Sequence, residues 1–326
     1  MDLLQILGNT FSSILGPATI GYALAALGLA VHFGYTGLLN MGIAAFMAIG
    51  AYGYAISILT FGLPWWVGIL VGMLGSIVFA LILGIPTLRL RGDYLAIVTI
   101  AAAEVIRLLF LTTAFDEFTG SADGLSGYHQ SFRESNPIPP GTYGFGPFTY
   151  NETGWWVRII GIALLVVACL VVWAVMRSPW GRVIKGIRED EDAVRALGKN
   201  VFAYKLQALM LGGVFGALGG VVYALPASVN PGVYVTSLTF FVYTALLLGG
   251  AATVFGPVLG AVLFWVLQTF LGNLLPALVQ VGALPFMSTS QSQTLRFVLV
   301  GVALMLIVIF RPQGILGNKK ELTFVK

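Results

Sequence analysis

The chain has 326 residues, 58% of them hydrophobic and only 9% charged, with 41 Gly, 22 Phe and a formal net charge of +4. A soluble domain of this length has too much polar surface to cover with such a composition. The single cysteine, Cys169, excludes an internal disulfide, and the basic residues are confined to a few loops, so the small positive excess does not describe a nucleic-acid surface.

Uncharged runs of about 18 residues or more are long enough to cross a hydrocarbon core of about 30 Å. Broken at charged and Pro/Gly segments, they place candidate spans near 12–33, 42–60, 64–85, 94–112, 155–177, 206–226, 233–250, 254–275 and 294–311. The runs are continuous rather than alternating, which excludes a transmembrane β-barrel. The expected fold class is therefore all-α, a polytopic transmembrane bundle of about eight to ten spans. The beginning of the chain lacks a basic region ahead of its apolar run and is read as a retained span rather than a cleaved signal.

In chain order, the first interruption is "GYTGLLNMG" (34–42), where Asn40 is the one strongly polar side chain. Irregular backbone at membrane depth survives only when buried in protein or lining a cavity. Gly68, Gly72 and Gly75 follow as a stripe of small residues that lets helices approach closely.

The fourth run, "YLAIVTIAAAEVIRLLFL", carries Glu104 and Arg107. Each central charge costs about 2.5–3.5 kcal/mol on the insertion scale, while the Leu, Ile, Val and Phe residues of the run contribute roughly 3–6 kcal/mol in all. The span is marginal unless the two charges pair or face a cavity, and their i, i+3 spacing allows pairing on one face. Either structural glue between helices or a place on a transport pathway is consistent with this pattern.

Residues 113–154 form a long polar segment with Asp116, Glu117, Asp123, Glu134 and Glu152 but only Arg133 as a basic residue. By contrast, "GRVIKGIREDEDAVRALGKN" (181–200) has nine charged residues in twenty. Asp190 is an expected N-cap there, Glu191 and Asp192 suit the positive end of a helix dipole, and Gly198 suits the C′ position. Ala193, Val194 and Leu197 would then form a small apolar face inside a rim of Arg188, Glu189, Glu191, Asp192 and Arg195. Such a surface is either a solvated topogenic loop or a docking knob for a partner.

Further on, Gly212, Gly216 and Gly220 recur every four residues, as do Gly256 and Gly260. Between these stripes, "LPASVNPGVYVTS" (225–237) reads as an outer loop or a re-entrant segment, with Asn230 as its polar side chain. His32 and His129 lack metal-ligand companions and read as incidental. No phosphate-binding loop exists, since the only Gly-Lys pair is Gly198-Lys199 followed by Asn200. No nucleophile–base or metal pattern suggests catalysis.

Thirteen of the 17 Lys and Arg residues fall in 86–93, in 177–205 and in 311–326. By the positive-inside pattern these segments are cytoplasmic, 113–154 is extracytoplasmic, and the odd span count puts the N-terminus outside.

"GYTGLLNMGIAAFMAIGAY" (34–52), "LRLRGDYLAIVTIAAAEVIR" (88–107), "GRVIKGIREDEDAVRALGKNVFAYK" (181–205), "GGAATVFGPVLGA" (249–261) and "FRPQGILG" (310–317) occur together and in order. In these motifs the chain resembles the permease family of branched-chain amino-acid ABC importers, and within it the LivM type of subunit. The resemblance covers most of the chain and implies one permease domain over 1–326 in a bacterial or archaeal plasma membrane. It implies a LivH-type permease partner, two cytoplasmic ATPases that hold ATP and magnesium, and an extracytoplasmic binding protein. This chain would bind no cofactor of its own. The loop 181–205 would carry the coupling helix that fits a groove of the ATPase. One departure stands out: where the family often has Gly-His-x-x-Phe, this chain reads Gly42-Ile43-Ala44-Ala45-Phe46, so no role of that histidine carries over.

Two other functions compete with the import of Leu, Ile and Val. Related permeases serve importers of urea or other small polar solutes. A secondary transporter could instead use Glu104 and Arg107 as an ion relay.

Overall fold

The computed structural model describes residues 3–89, 92–282, 287–311 and 313–317. Arg91, Lys319, Lys320 and Lys326 lie outside the described residues. The helices run in chain order as α1 (Leu3–Ser12), α2 (Pro17–Leu29), α3 (Ile43–Leu59), α4 (Trp65–Thr87), α5 (Gly92–Leu111), α6 (Asp116–Thr119) and α7 (Gln130–Glu134). They continue as α8 (Glu152–Arg177), α9 (Pro179–Glu189), α10 (Glu191–Ala196), α11 (Val201–Ala224), α12 (Thr236–Gly249), α13 (Gly256–Gln280) and α14 (Thr289–Phe310). The described β structure is one two-residue hairpin ladder, Thr142–Tyr143 against Tyr150–Asn151, and an isolated bridge between Leu125 and Val229. The chain is an all-α, multi-pass bundle.

Each of the nine apolar runs is a helix. Six helices among the described residues are long and apolar enough to cross a membrane, and the first of them counts α2 together with its extension to Tyr35. Helices α3 and α12 are shorter. At 14 residues α12 is about 21 Å long, so it reaches only part of the way across a hydrocarbon core.

Helix α2 is apolar all round, and Leu24 through Leu27 are fully enclosed, as expected of a helix with no solvated face. It is the axis of the bundle, packed by α11, α13, α12 and α8. Glycines set how closely α11 approaches. A Cβ on Gly28 would stand 2.3 Å from the Gly212 carbonyl oxygen, and one on Gly220 would stand 1.9 Å from that of Met47. The stripe expected from Gly212, Gly216 and Gly220 is in fact divided: Gly212 faces α2, while Gly216 and Gly220 face α3. A helix wedged between two others needs small residues on two faces, and Gly213 and Gly219 complete them. Gly72 and Gly260 play the expected part at the α3–α4 and α12–α13 crossings.

At the end of the bundle opposite α9 and α10, residues 113–154 fold into a cap. Tyr128 and Phe132 are fully buried, and the Tyr128 hydroxyl donates to the carbonyls of Ala224, at 2.9 Å, and Ala227. Phe132 stacks among Trp65 and Trp156.

The segment after α13 and α14 closes back on α12. Gly250 (φ +119°) and Gly314 (φ +75°) adopt backbone conformations that side chains resist, which brings the two turns into contact. The N–H groups of Ile315 and Leu316 donate to the carbonyls of Leu248 and Gly249 at 3.0 and 2.9 Å. The last carbonyls of α12 are thereby satisfied from outside the helix.

Candidate functional site

The charged stretch 181–200 folds as two helices meeting at Asp190, whose backbone is extended (φ −153°, ψ 101°). Ser178 caps α9, with Pro179 in its first turn, a start signal that the sequence reading did not use. Ile184 and Ile187 lie on the buried side of α9. Asp190 Oδ1 accepts from the N–H groups of Asp192 and Ala193, both at 3.0 Å, which is the expected N-cap. Gly198 (φ +76°) ends α10 as expected.

The apolar face is smaller than its sequence suggested. Val194 is buried beneath Gly186 of α9 and fixes the elbow from within. Leu197 is 79% exposed and Ala193 is exposed beside it, so these two form the free tip. Arg195 pairs with Glu191 and Asp192 at 2.8 and 2.7 Å, and Lys205 of α11 pairs with Glu191. The Lys205–Glu191 pair ties α10 to the base of α11, while the Arg195 pairs brace α10 internally.

Behind the tip, α9 reaches the end of the π-helix that follows α2. Arg188 donates to the Gly34 carbonyl, and its side chain covers Gly37. Gly34 itself abuts the turn between α12 and α13, where a Cβ would stand 1.8 Å from the Ala251 carbonyl oxygen. A cleft of ≈ 990 Å³ opens between α10, the 36–38 backbone and the facing ends of α4 and α5; Arg89, Lys199 and Lys205 are among its walls.

Asn40 is fully buried in the irregular segment after α2, which ends as a π-helix over Ala30–Tyr35. Its Nδ2 donates to His32 Nδ1 at 3.1 Å, and its Oδ1 accepts the Gly42 N–H at 2.9 Å. His32 Nε2 then donates to the Leu209 carbonyl at 3.0 Å. The Tyr243 hydroxyl donates to the Asn40 carbonyl, and the Met41 N–H to Thr99 Oγ1, both at 2.9 Å. His32 is therefore not incidental: it links α2 to α11 inside the core. Its partner carbonyl is 177 residues away, beyond the reach of any local pattern.

Glu104 and Arg107 pair as their spacing predicts, with Nε 3.0 Å from each carboxylate oxygen. They are not enclosed, however. The side chains retain 38% (Glu104) and 18% (Arg107) exposure. The face formed by Ile97, Ala101, Glu104 and Leu108 is uncovered within this chain. Asn230 lies in the connection between α11 and α12, where its Nδ2 donates to the Ala122 carbonyl at 2.9 Å and its Oδ1 accepts from Gly232. It staples two loops and has no contact with the Asn40 or Glu104 groups among these bonds.

In the loop cap, burial and the neighbouring Arg133 charge hold the His129 pKa below its ordinary value.

Known proteins resemble this chain over most of its length. A family profile described as "Branched-chain amino acid transport system / permease component" matches residues 12–309. The chain is 30% identical over 309 residues to the high-affinity branched-chain amino acid transport system permease protein LivM of Salmonella typhimurium, covering 91% of this chain and 68% of the relative. The Escherichia coli protein of that name is 30% identical over 320 residues, with the same coverage. A probable branched-chain amino acid transport permease protein LivM of Methanocaldococcus jannaschii is 26% identical over 338 residues, covering 93% and 92%.

Proposed function

The chain belongs to the branched-chain amino-acid transport permease family, and we propose from that premise that it is the LivM-type membrane subunit of an ATP-driven importer of Leu, Ile and Val. A LivH-type permease stands beside it, two cytoplasmic ATPases bind below, and an extracytoplasmic protein delivers the substrate. ATP and magnesium belong to the ATPases. The end of the bundle carrying α9 and α10 faces the cytoplasm, and the 113–154 cap faces outward.

The observation that carries the reading is the α9–α10 elbow. It presents one exposed leucine, Leu197, inside a charged surround, on a support with several fixed contacts. An apolar tip in a polar rim is the composition of an interface centre. Movement of the ATPases at that tip is transmitted through Glu191–Lys205 to α11 and through Arg188–Gly34 to the π-helical end of α2. These are the helices that the Asn40–His32 bonds join.

The uncovered face of α5 is assigned to the sister permease or to the path between the two. A partly exposed ion pair is tolerated in a bilayer where protein or water, not lipid, meets it.

Uptake into proteoliposomes tests the function. The complete assembly should accumulate leucine only with ATP on the cytoplasmic face, and leucine should be displaced by isoleucine and valine but not by urea. Accumulation by this chain alone on an ion gradient would replace the reading with a secondary carrier.

A further inference from the structure

Arg296 is the only charged residue between Lys205 and Arg311, and no Asp or Glu occurs between Asp192 and Glu321. It sits in α14, seven residues from Thr289 and so about 10 Å from that end of the helix. It lines a cavity of ≈ 350 Å³ between α13 and α14, with α2 and α12 as the floor. None of the four helices contains a carboxylate. An arginine at membrane depth is expensive without a counter-charge, and among the described residues the cavity walls hold no carboxylate.

The cavity is built rather than left over. Gly272 makes room for the guanidinium, since a Cβ there would stand 2.6 Å from Arg296 Nη1. The guanidinium also lies over the Phe297 ring, 4.7 Å from its centroid. Gln293 fixes α14 to α13 by donating to the Gly272 carbonyl at 3.3 Å. Three buried polar atoms among the walls have no hydrogen-bond partner among the described residues: Arg296 Nε, Trp265 Nε1 and Gln268 Oε1. Two of these are N–H donors, and Gln268 becomes a third if its amide is turned over. Tyr22, itself buried, closes the floor against Trp265. Unsatisfied buried donors are uncommon and call for an acceptor.

We propose that this cavity holds the headgroup phosphate of an anionic phospholipid. Phosphate supplies negative charge and several acceptor oxygens to Arg296 and Trp265, and the ring-lined walls take the glycerol and upper acyl carbons. Phe297 on the cavity wall is exposed, as are Val298 and Val302 farther along α14. This is apolar surface of a kind that lipid covers. Arginine stems near helix ends lie along apolar surface and carry the charged head toward the interface, and Arg296 is about 10 Å from the Thr289 end of α14. A zwitterionic substrate would enter from water, and its ammonium group would find no carboxylate here.

The test is native mass spectrometry of the chain, purified with the subunits that accompany it and given equal phosphatidylglycerol and phosphatidylcholine. The wild type is expected to retain phosphatidylglycerol preferentially, with Arg296→Gln lowering that retention by about tenfold or more. Trp265→Phe keeps a ring but removes the donor, and should lower retention severalfold; it carries the test if Arg296→Gln does not fold. Equal retention of the two lipids by the wild type overturns the proposal, as does unchanged retention in both variants. Displacement of phosphatidylglycerol by added leucine would also overturn it, assigning the cavity to substrate carboxylate instead.

Discussion

Asn40 donates from Nδ2 to Nδ1 of His32 at 3.1 Å, which leaves His32 Nε2 to donate to the Leu209 carbonyl at 3.0 Å. The bonds fix the Nε2–H tautomer and join the broken end of α2 to α11 without charge. Asn40→Ala strands the His32 nitrogen and the Gly42 N–H in a fully buried setting. Each orphaned group costs about 1–3 kcal/mol. The variant should unfold at lower temperature in detergent and transport poorly. An unchanged melting temperature would show that water replaces the side chain at no loss.

Close approach of α11 to α3 rests on Gly220, where a Cβ would overlap the Met47 carbonyl. Gly220→Ala should therefore sharply reduce the yield of folded protein, because the obstacle is backbone. Gly301 of α14 has open space around it, so Gly301→Ala should be neutral in the same expression assay. Equal yields for the two variants would contradict the packing described for α11.

Glu104 and Arg107 stabilise one another on a face that this chain does not cover. Removing one member leaves an uncompensated charge at membrane depth, which is worse than removing both. Glu104→Gln and Arg107→Met should each lower the recovery of the complex with the sister permease, and the double variant should regain part of it. Simple addition of the two losses would mean that the residues act separately.

Sidedness follows from the Lys and Arg distribution. A cysteine at exposed Lys199 should react with an impermeant thiol reagent only from the cytoplasm, and one at exposed Phe145 only from outside. The native Cys169 is buried and should stay silent. The reverse labelling would invert the whole arrangement.

Much of this architecture was legible in the sequence because lipid forces it to be. Apolar runs must become helices, and the nine runs did. The Asp190 cap and the Gly198 stop were equally plain, since both depend on neighbours within a few residues. Long-range contacts were not legible. Val194 looked like part of a free apolar face, yet Gly186 of the preceding helix covers it. His32 looked idle because its acceptor belongs to α11. Glu104 and Arg107 announced a pair, but whether the pair would be enclosed depended on which helices stand beside α5. Arg296 passed unnoticed inside an apolar run, although the absence of any acid between Asp192 and Glu321 was there to be read.

Leu197 decides the central claim. It is 79% exposed and outside the bundle, so Leu197→Asp should leave the yield, the melting temperature and pairing with the sister permease unchanged. A carboxylate forced into a desolvated pocket of the ATPase would cost several kcal/mol, whereas a solvated rim charge such as Lys199 contributes less than about 1 kcal/mol. The measurement is ATPase co-purification, with substrate-stimulated hydrolysis and leucine uptake, for Leu197→Asp and Lys199→Ala in one reconstituted assembly. The account predicts that Leu197→Asp loses the ATPase and falls to background uptake while Lys199→Ala stays close to wild type. Normal uptake by Leu197→Asp with its ATPase still bound would contradict it and reduce the α9–α10 elbow to a topogenic loop.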